Sequence, residues 1–240
     1  MSFSNVLELA VFLGVFGLLS LFVLWPDERK ARRVLRRWGI DQPSEEDVVE
    51  AVRYLKRRAV CYPWLFFLVP LLARAFGLTS VERSVGWTVA WTLLLGGLLG
   101  ELFALRRAPA RQRQAMLARR RVIDLVPVWG LVVLTLAISV GIVRMAIAPE
   151  WGELGIVVVC AVVVIVVIAL AVIRPAAGDP VVDQALRVRS ARVAAGLAIA
   201  VPAALPQAEM NLPKALLMVV SLIALLSLAR PARQVAAPAG

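Results

Sequence analysis

The run Gly155–Ile173, GIVVVCAVVVIVVIALAVI, decides the class of fold. It is apolar on every face of a helix and close to the roughly 20 residues a helix needs to cross a bilayer core. A surface helix of a soluble protein would carry a polar side, and this one has none. Residues 154–173 are therefore expected to form a membrane span, TM5, in which Cys160 serves packing and not thiol chemistry.

Moving outward, the chain repeats the same alternation of apolar run and charged connection. Six further spans are expected: TM1 at 6–25, TM2 at 61–77, TM3 at 86–105, TM4 at 123–147, TM6 at 193–205 and TM7 at 215–228. Between them lie a polar stretch at 26–58, a basic loop at 106–122, a third loop at 174–192 and a tail at 229–240. TM2 is interrupted by Pro63 and Pro70, and TM6 by Gly196 and Pro202. TM3 carries Gly96 and Gly100 in GxxxG spacing with Gly97 between them, which suits close helix packing. The fold class expected is an all-α polytopic bundle of about seven spans, with one transmembrane domain covering 1–240.

Composition agrees. The 240 residues are 61% hydrophobic, with a mean hydropathy of +0.83. There are 27 basic and 16 acidic residues, a net charge of +11. The basic residues sit between apolar runs, so the expected partner is anionic headgroups on the cytoplasmic side, and no nucleic acid is expected. Ten of the 27 precede TM2, seven lie between TM3 and TM4, four between TM5 and TM6 and two in the tail; Arg74, Arg83, Arg144 and Lys214 remain. That asymmetry predicts an outer N-terminus and an inner C-terminus. TM1 lacks the basic start and small-residue cleavage site of a signal peptide, so it is expected to stay in the protein. Arginine far outnumbers lysine, as in GC-rich genomes, and the localisation expected is a bacterial cytoplasmic (inner) membrane, multi-pass.

The stretch 26–58, PDERKARRVLRRWGIDQPSEEDVVEAVRYLKRR, is long enough for a cytoplasmic hairpin of two helices. Pro26 is expected to open the first and Gly39 to stop it; Ser44 is expected to cap the second, which ends in Lys56, Arg57 and Arg58 before TM2 begins at Cys61. An apolar face of Val34, Leu35, Trp38, Val48, Val52 and Leu55 is expected to dock a cytoplasmic partner, such as an ATPase or another subunit. VVEAVRYLKRRAV (48–60) and VVDQALRVRSARV (181–193) resemble one another slightly, each opening with two valines and an acid and ending basic.

Candidate functional residues are few. Arg74, Arg144 and Lys214 lie towards outer span ends and would form an outer cationic vestibule. Glu101 and Asp124 are the intramembrane or inner-interface carboxylates, with Arg106, Arg107 or Arg121 as the simplest partners. Histidine is absent, two cysteines cannot build a disulfide framework, and HExxH, GxSxG, Walker A, CxxC and Asp-rich motifs are all missing. The expectation is thus a non-enzyme without cofactor or metal: a membrane subunit of a transport or export assembly that docks a cytoplasmic partner, able to oligomerise. A self-contained small transporter or channel, its path beside the broken TM2 and TM6, is the alternative; a structural or regulatory membrane protein is the third.

Overall fold

The computed structural model describes residues 3–23, 25–78, 85–104, 121–147, 151–173, 179–204 and 212–230. Among the described residues every regular element is a helix: α1 Phe3–Val23, α2 Glu28–Arg37, α3 Glu45–Ala75, α4 Val85–Ala104, α5 Val122–Leu125, α6 Val128–Ile147, α7 Trp151–Ile173, α8 Pro180–Ala204 and α9 Leu212–Leu228. Four are long and apolar enough to cross a membrane, over Asn5–Val23, Glu45–Ala75, Val85–Ala104 and Trp151–Ile173; Val128–Arg144 and Ala215–Leu228 are shorter apolar stretches. Most of the basic loop 106–122, residues 174–178 of the third loop and residues 231–240 of the tail lie outside the described residues.

The hairpin forms through local chemistry that the sequence advertises. α2 opens two residues after Pro26, at Glu28, with Asp27 as its cap: Asp27 Oδ1 accepts from the Lys30 amide at 2.8 Å. Ser44 and Asp47 form a reciprocal capping box at the start of α3, with Ser44 Oγ accepting from Asp47 N at 3.2 Å and Asp47 Oδ2 accepting from Ser44 N at 2.8 Å. Gly39 and Gly77, at φ of 88° and 63°, end α2 and α3 in the left-handed conformation. Each end is a Schellman turn: Ile40 N donates to Leu35 O at 3.1 Å, and Leu78 N to Ala73 O at 2.8 Å.

Three elements depart from the expected boundaries. The second hairpin helix does not stop at Arg58; it runs on as α3 for 31 residues, through Pro63 and Pro70. Nothing between Arg58 and Cys61 ends a helix, and prolines are tolerated in helices that neighbours enclose. The expected TM4 is two helices. Val126 is extended, at φ −122° and ψ 127°, because the residue before Pro127 is pushed out of the helical region, and α6 starts anew at Val128. The third loop is helical from Pro180, since Asp179 Oδ1 accepts from the amides of Val181 and Val182 at 2.7 and 3.2 Å and Pro180 is well placed at the first helical position.

Packing sorts the helices into a peripheral pair and a central helix. α1 and α2 both lie on α3, and α3 lies on α4. α8 touches α4, α5, α6, α7 and α9. A large apolar core, including Trp91, Leu98, Val164, Val167 and Ile199, joins α4, α7 and α8. A smaller core at the hairpin end holds Leu35, Val48 and Tyr54 against Ala104, Val182 and Leu186. Full burial of Leu35 or Val48 in this smaller core, relative to exposure to water, stabilises by roughly 1.5–3 kcal/mol. Outward-facing Phe12, Leu18, Leu19 and Phe22 leave one side of α1 apolar and exposed, as a lipid-facing helix would be.

Candidate functional site

Glu101, the one acid of α4, has no exposed surface and stands where α3, α4 and α8 meet. Tyr54 and Arg58 are four residues apart on α3 and so share one face. Arg189 and Ser190 come from α8. Tyr54 Oη donates a short hydrogen bond to Glu101 Oε2, and Ser190 Oγ donates to the same oxygen at 2.8 Å. Arg58 Nε lies 3.0 Å and Arg189 Nη1 3.8 Å from Oε1. Arg189 Nη1 also donates to Tyr54 Oη at 2.7 Å, and its guanidinium lies 5.3 Å from the Tyr54 ring centroid.

The cluster depends on close backbones. A Cβ at Gly100 would stand 3.0 Å from Arg58 Cγ and 3.2 Å from Arg58 O, so a side chain there would push the arginine off Glu101. Gly96 faces the Tyr62 ring of α3, and Gly97 faces Leu197 of α8, where a Cβ would come within 2.5 Å. The expected GxxxG packing is present, and it is what lets α3 and α8 close on α4.

Burying one carboxylate costs several kcal/mol, which two guanidinium groups and two hydroxyls offset. The balance is uneven. Oε2 is saturated by Tyr54 and Ser190, while Oε1 and Arg58 Nε are within ion-pair distance but not aligned as a hydrogen bond, leaving both atoms buried without one. Two arginines share one acid, so the site keeps an excess of positive charge.

That excess opens onto a cavity of about 650 Å³ between α1, α2, α3, α4 and α8. Lys30, Arg58 and Arg189 are among its lining residues, together with Phe16, Leu21 and Phe66. The arrangement can hold an anion beside hydrocarbon. Among the described residues no group of three or more His, Cys, Asp or Glu is placed to hold a metal ion.

The structure distributes the sequence-derived candidates unevenly. Glu101 is central, and among the described residues its cationic partners are Arg58 and Arg189; Arg106 and Arg107, two of its expected partners, lie outside the described residues. Asp124 is exposed at the start of α5, and its Oδ2 accepts from the backbone N of Arg121, one of its expected partners, at 2.8 Å. Arg74 is exposed at the end of α3. Arg144 borders a shallow groove whose other described lining, Ser139, Val140, Val143 and Ile147, belongs to its own helix. The Lys214 side chain lies outside the described residues.

The expected docking face is largely spent inside the chain. Leu35, Trp38 and Val48 are 0%, 8% and 1% exposed, Val52 is half-buried against the same cluster, and Val34 and Leu55 line the cavity. The reason is α8: its first turns bring Val182 and Leu186 onto that face, where a loop would have left it open. Tyr54, Arg58, Arg189 and Ser190 were missed. The signal available was the weak likeness of 48–60 and 181–193, because both stretches converge on Glu101. Compared with protein-family models, curated proteins and solved structures, the chain gives no match.

Proposed function

We propose that this chain is a multi-pass protein of a bacterial cytoplasmic membrane, with seven crossings, an outer N-terminus and an inner C-terminus. It serves as the non-catalytic membrane subunit of a transport or export assembly. The observation that carries this reading is the continuity of α3. One helix runs from the Ser44 cap in the hairpin to Ala75, and 31 residues of helix extend about 46 Å, well beyond a hydrocarbon core of about 30 Å. A push on the hairpin is therefore transmitted directly into the bundle, and Glu101 ties that lever to α4 and α8. The partner engages the exposed basic side of the hairpin, Arg33, Arg36, Arg37 and Arg53, and so presents an acidic surface.

Co-purification in mild detergent tests this. A stoichiometric cytoplasmic protein is expected with the wild-type chain, and its loss is expected for the R33E/R36E/R37E variant, which should still insert in the membrane. Absence of any stoichiometric partner, or its full retention by the variant, overturns the proposal. A tag on the C-terminus should be reachable only from the cytoplasmic side; labelling from outside would refute the topology. The cavity favours a second reading, a self-contained transporter, which transport by the purified chain alone in liposomes would support.

A further inference from the structure

We infer that the cavity beside Glu101 is a binding site for an anionic membrane phospholipid, its phosphate held by Lys30, Arg58 and Arg189 and its hydrocarbon directed towards Phe66, Val89 and Leu93. This stands apart from the docking of a cytoplasmic partner and uses a different surface.

Charge is the first argument. Among the described residues three cations and no acid line the cavity; the Glu101 carboxylate lies behind Arg58 and Arg189, and Asp27 accepts from the Lys30 backbone amide, so the side chains that line the space are net positive. Arg58 Nε is buried without an aligned hydrogen bond, and a planar guanidinium is suited to a phosphate group.

Direction is the second. Along α3 the lining residues run Leu55, Arg58, Tyr62, Phe66, from basic to aromatic, over about 16 Å of helix rise. α1 and the start of α2 run the opposite way in sequence, Phe16, Leu21, Pro26, Lys30, and put the basic residue at the same end. Antiparallel elements thus agree that the cavity is polar at the hairpin end and apolar deeper in the bundle. The polar end also carries interfacial features: Lys30 Nζ donates to Trp25 O at 2.9 Å, and Lys56 Nζ sits 5.5 Å from the Trp25 ring centroid. Trp and Lys at this level mark a headgroup boundary.

Size is the third. A volume of about 650 Å³ is within the roughly 300–1,000 Å³ of small-molecule sites and exceeds what a phosphate alone would fill. A soluble anion would leave Phe16, Leu21, Phe66 and Val89 facing empty apolar space, whereas an acyl chain covers them.

The test titrates phosphatidylglycerol, phosphatidylcholine or glycerol phosphate into the full chain in a mild non-ionic detergent and follows the thermal unfolding midpoint, with native mass spectrometry counting retained lipid. Saturable stabilisation by phosphatidylglycerol is expected, with little from the other two. K30Q should weaken phosphatidylglycerol binding about five-fold, in line with the contribution of one basic residue near an anionic headgroup. R36Q, on α2 but outside the cavity, should change it by less than two-fold. A59F, which fills the middle of the cavity while leaving every cation, should abolish retention of the lipid. Lys30 makes no contact with the Glu101 cluster, so K30Q remains informative even if A59F does not fold. Equal effects of the two lipids, equal effects of K30Q and R36Q, or retention of lipid by a folded A59F would overturn the inference. Glycerol phosphate matching phosphatidylglycerol would reassign the site to a soluble phosphate.

Discussion

α3 and α8 are built alike and buried differently. Each starts at a side-chain cap, Ser44 or Asp179, continues with two valines and an acid, carries its basic residues over the following turns and then becomes apolar. In α3 the polar half keeps an open side, with Val49 and Arg53 exposed. In α8 the corresponding half is inside the protein: Asp183, Arg187 and Ser190 are 1%, 0% and 0% exposed. The difference lies in the neighbours. α1, α2 and α4 lie along α3, which α8 meets at Val48 and Tyr54, whereas α4, α5, α6, α7 and α9 pack around α8 and the hairpin core covers its first turns. Polarity of a segment therefore does not fix its exposure; what permits burial is a partner for each charge.

α8 supplies those partners systematically. Arg187 Nε donates to Asp183 Oδ2 at 2.6 Å, and its Nη1 donates to Ala171 O at 2.9 Å, satisfying a carbonyl in the last turn of α7. Arg192 Nε donates to Leu125 O at 3.1 Å, at the end of α5. Removing one member of such a set should be severe. R187A should lower stability by about 3–5 kcal/mol, because it leaves Asp183 charged and buried. R53A, on the open side of α3, should stay within about 0.5 kcal/mol. Unfolding midpoints in detergent compare the two, and equal midpoints would mean that α8 is not the buried helix of the pair.

The next effect is at the place where the two helices meet. Y54F deletes the hydroxyl that bridges Glu101 and Arg189 while keeping the ring, so about 1.5–3 kcal/mol should be lost, the usual range for a hydrogen bond to a charged group. S190A removes the other donor to the same oxygen. The double variant should lose less than the sum of the singles, since both groups serve Glu101 Oε2. Strict additivity would show that the two hydroxyls do not share the carboxylate.

The comparison also explains what the sequence could convey. The apolar runs, the Ser44 cap, the Gly39 stop and the role of Gly96, Gly97 and Gly100 in close packing follow from local rules and periodicity. The start of α8 was as legible as that of α3, for Asp179-Pro180 is a cap followed by a favoured first helical residue. It was passed over because four arginines between 174 and 192 suggest a solvated loop. The partners of Glu101 were not legible, because they lie 43 and 88 residues away in sequence and pairing at that range follows only from how helices pack. The arginines nearest in sequence were the natural guess, because sequence distance was the one guide available there.

Caps should produce a smaller and more even effect. S44A and D179A each remove a side-chain acceptor from a helix start, and each should cost about 1 kcal/mol. Similar losses would confirm that α3 and α8 are initiated in the same way and differ only in what surrounds them. A much larger loss for D179A would mean that burial of α8 amplifies the contribution of its cap.

The smallest expected effect isolates burial itself. Arg32 and Glu45 join α2 to α3 with an ion pair of 2.6 Å, the same length as the Asp183–Arg187 pair of α8. The side chains of the first pair are 33% and 79% exposed, and those of the second 1% each. Distance is thus matched and environment is not. E45A should cost no more than about 1 kcal/mol, because water screens the exposed pair and ordering two long side chains opposes it. Raising the salt to about 1 M, where the Debye length falls to about 3 Å, should erase what remains of that difference while leaving the penalty of R187A nearly intact. If salt weakened both pairs alike, solvent would have to reach the Asp183–Arg187 pair, and the contrast between an open α3 and an enclosed α8 would fail at its most direct point.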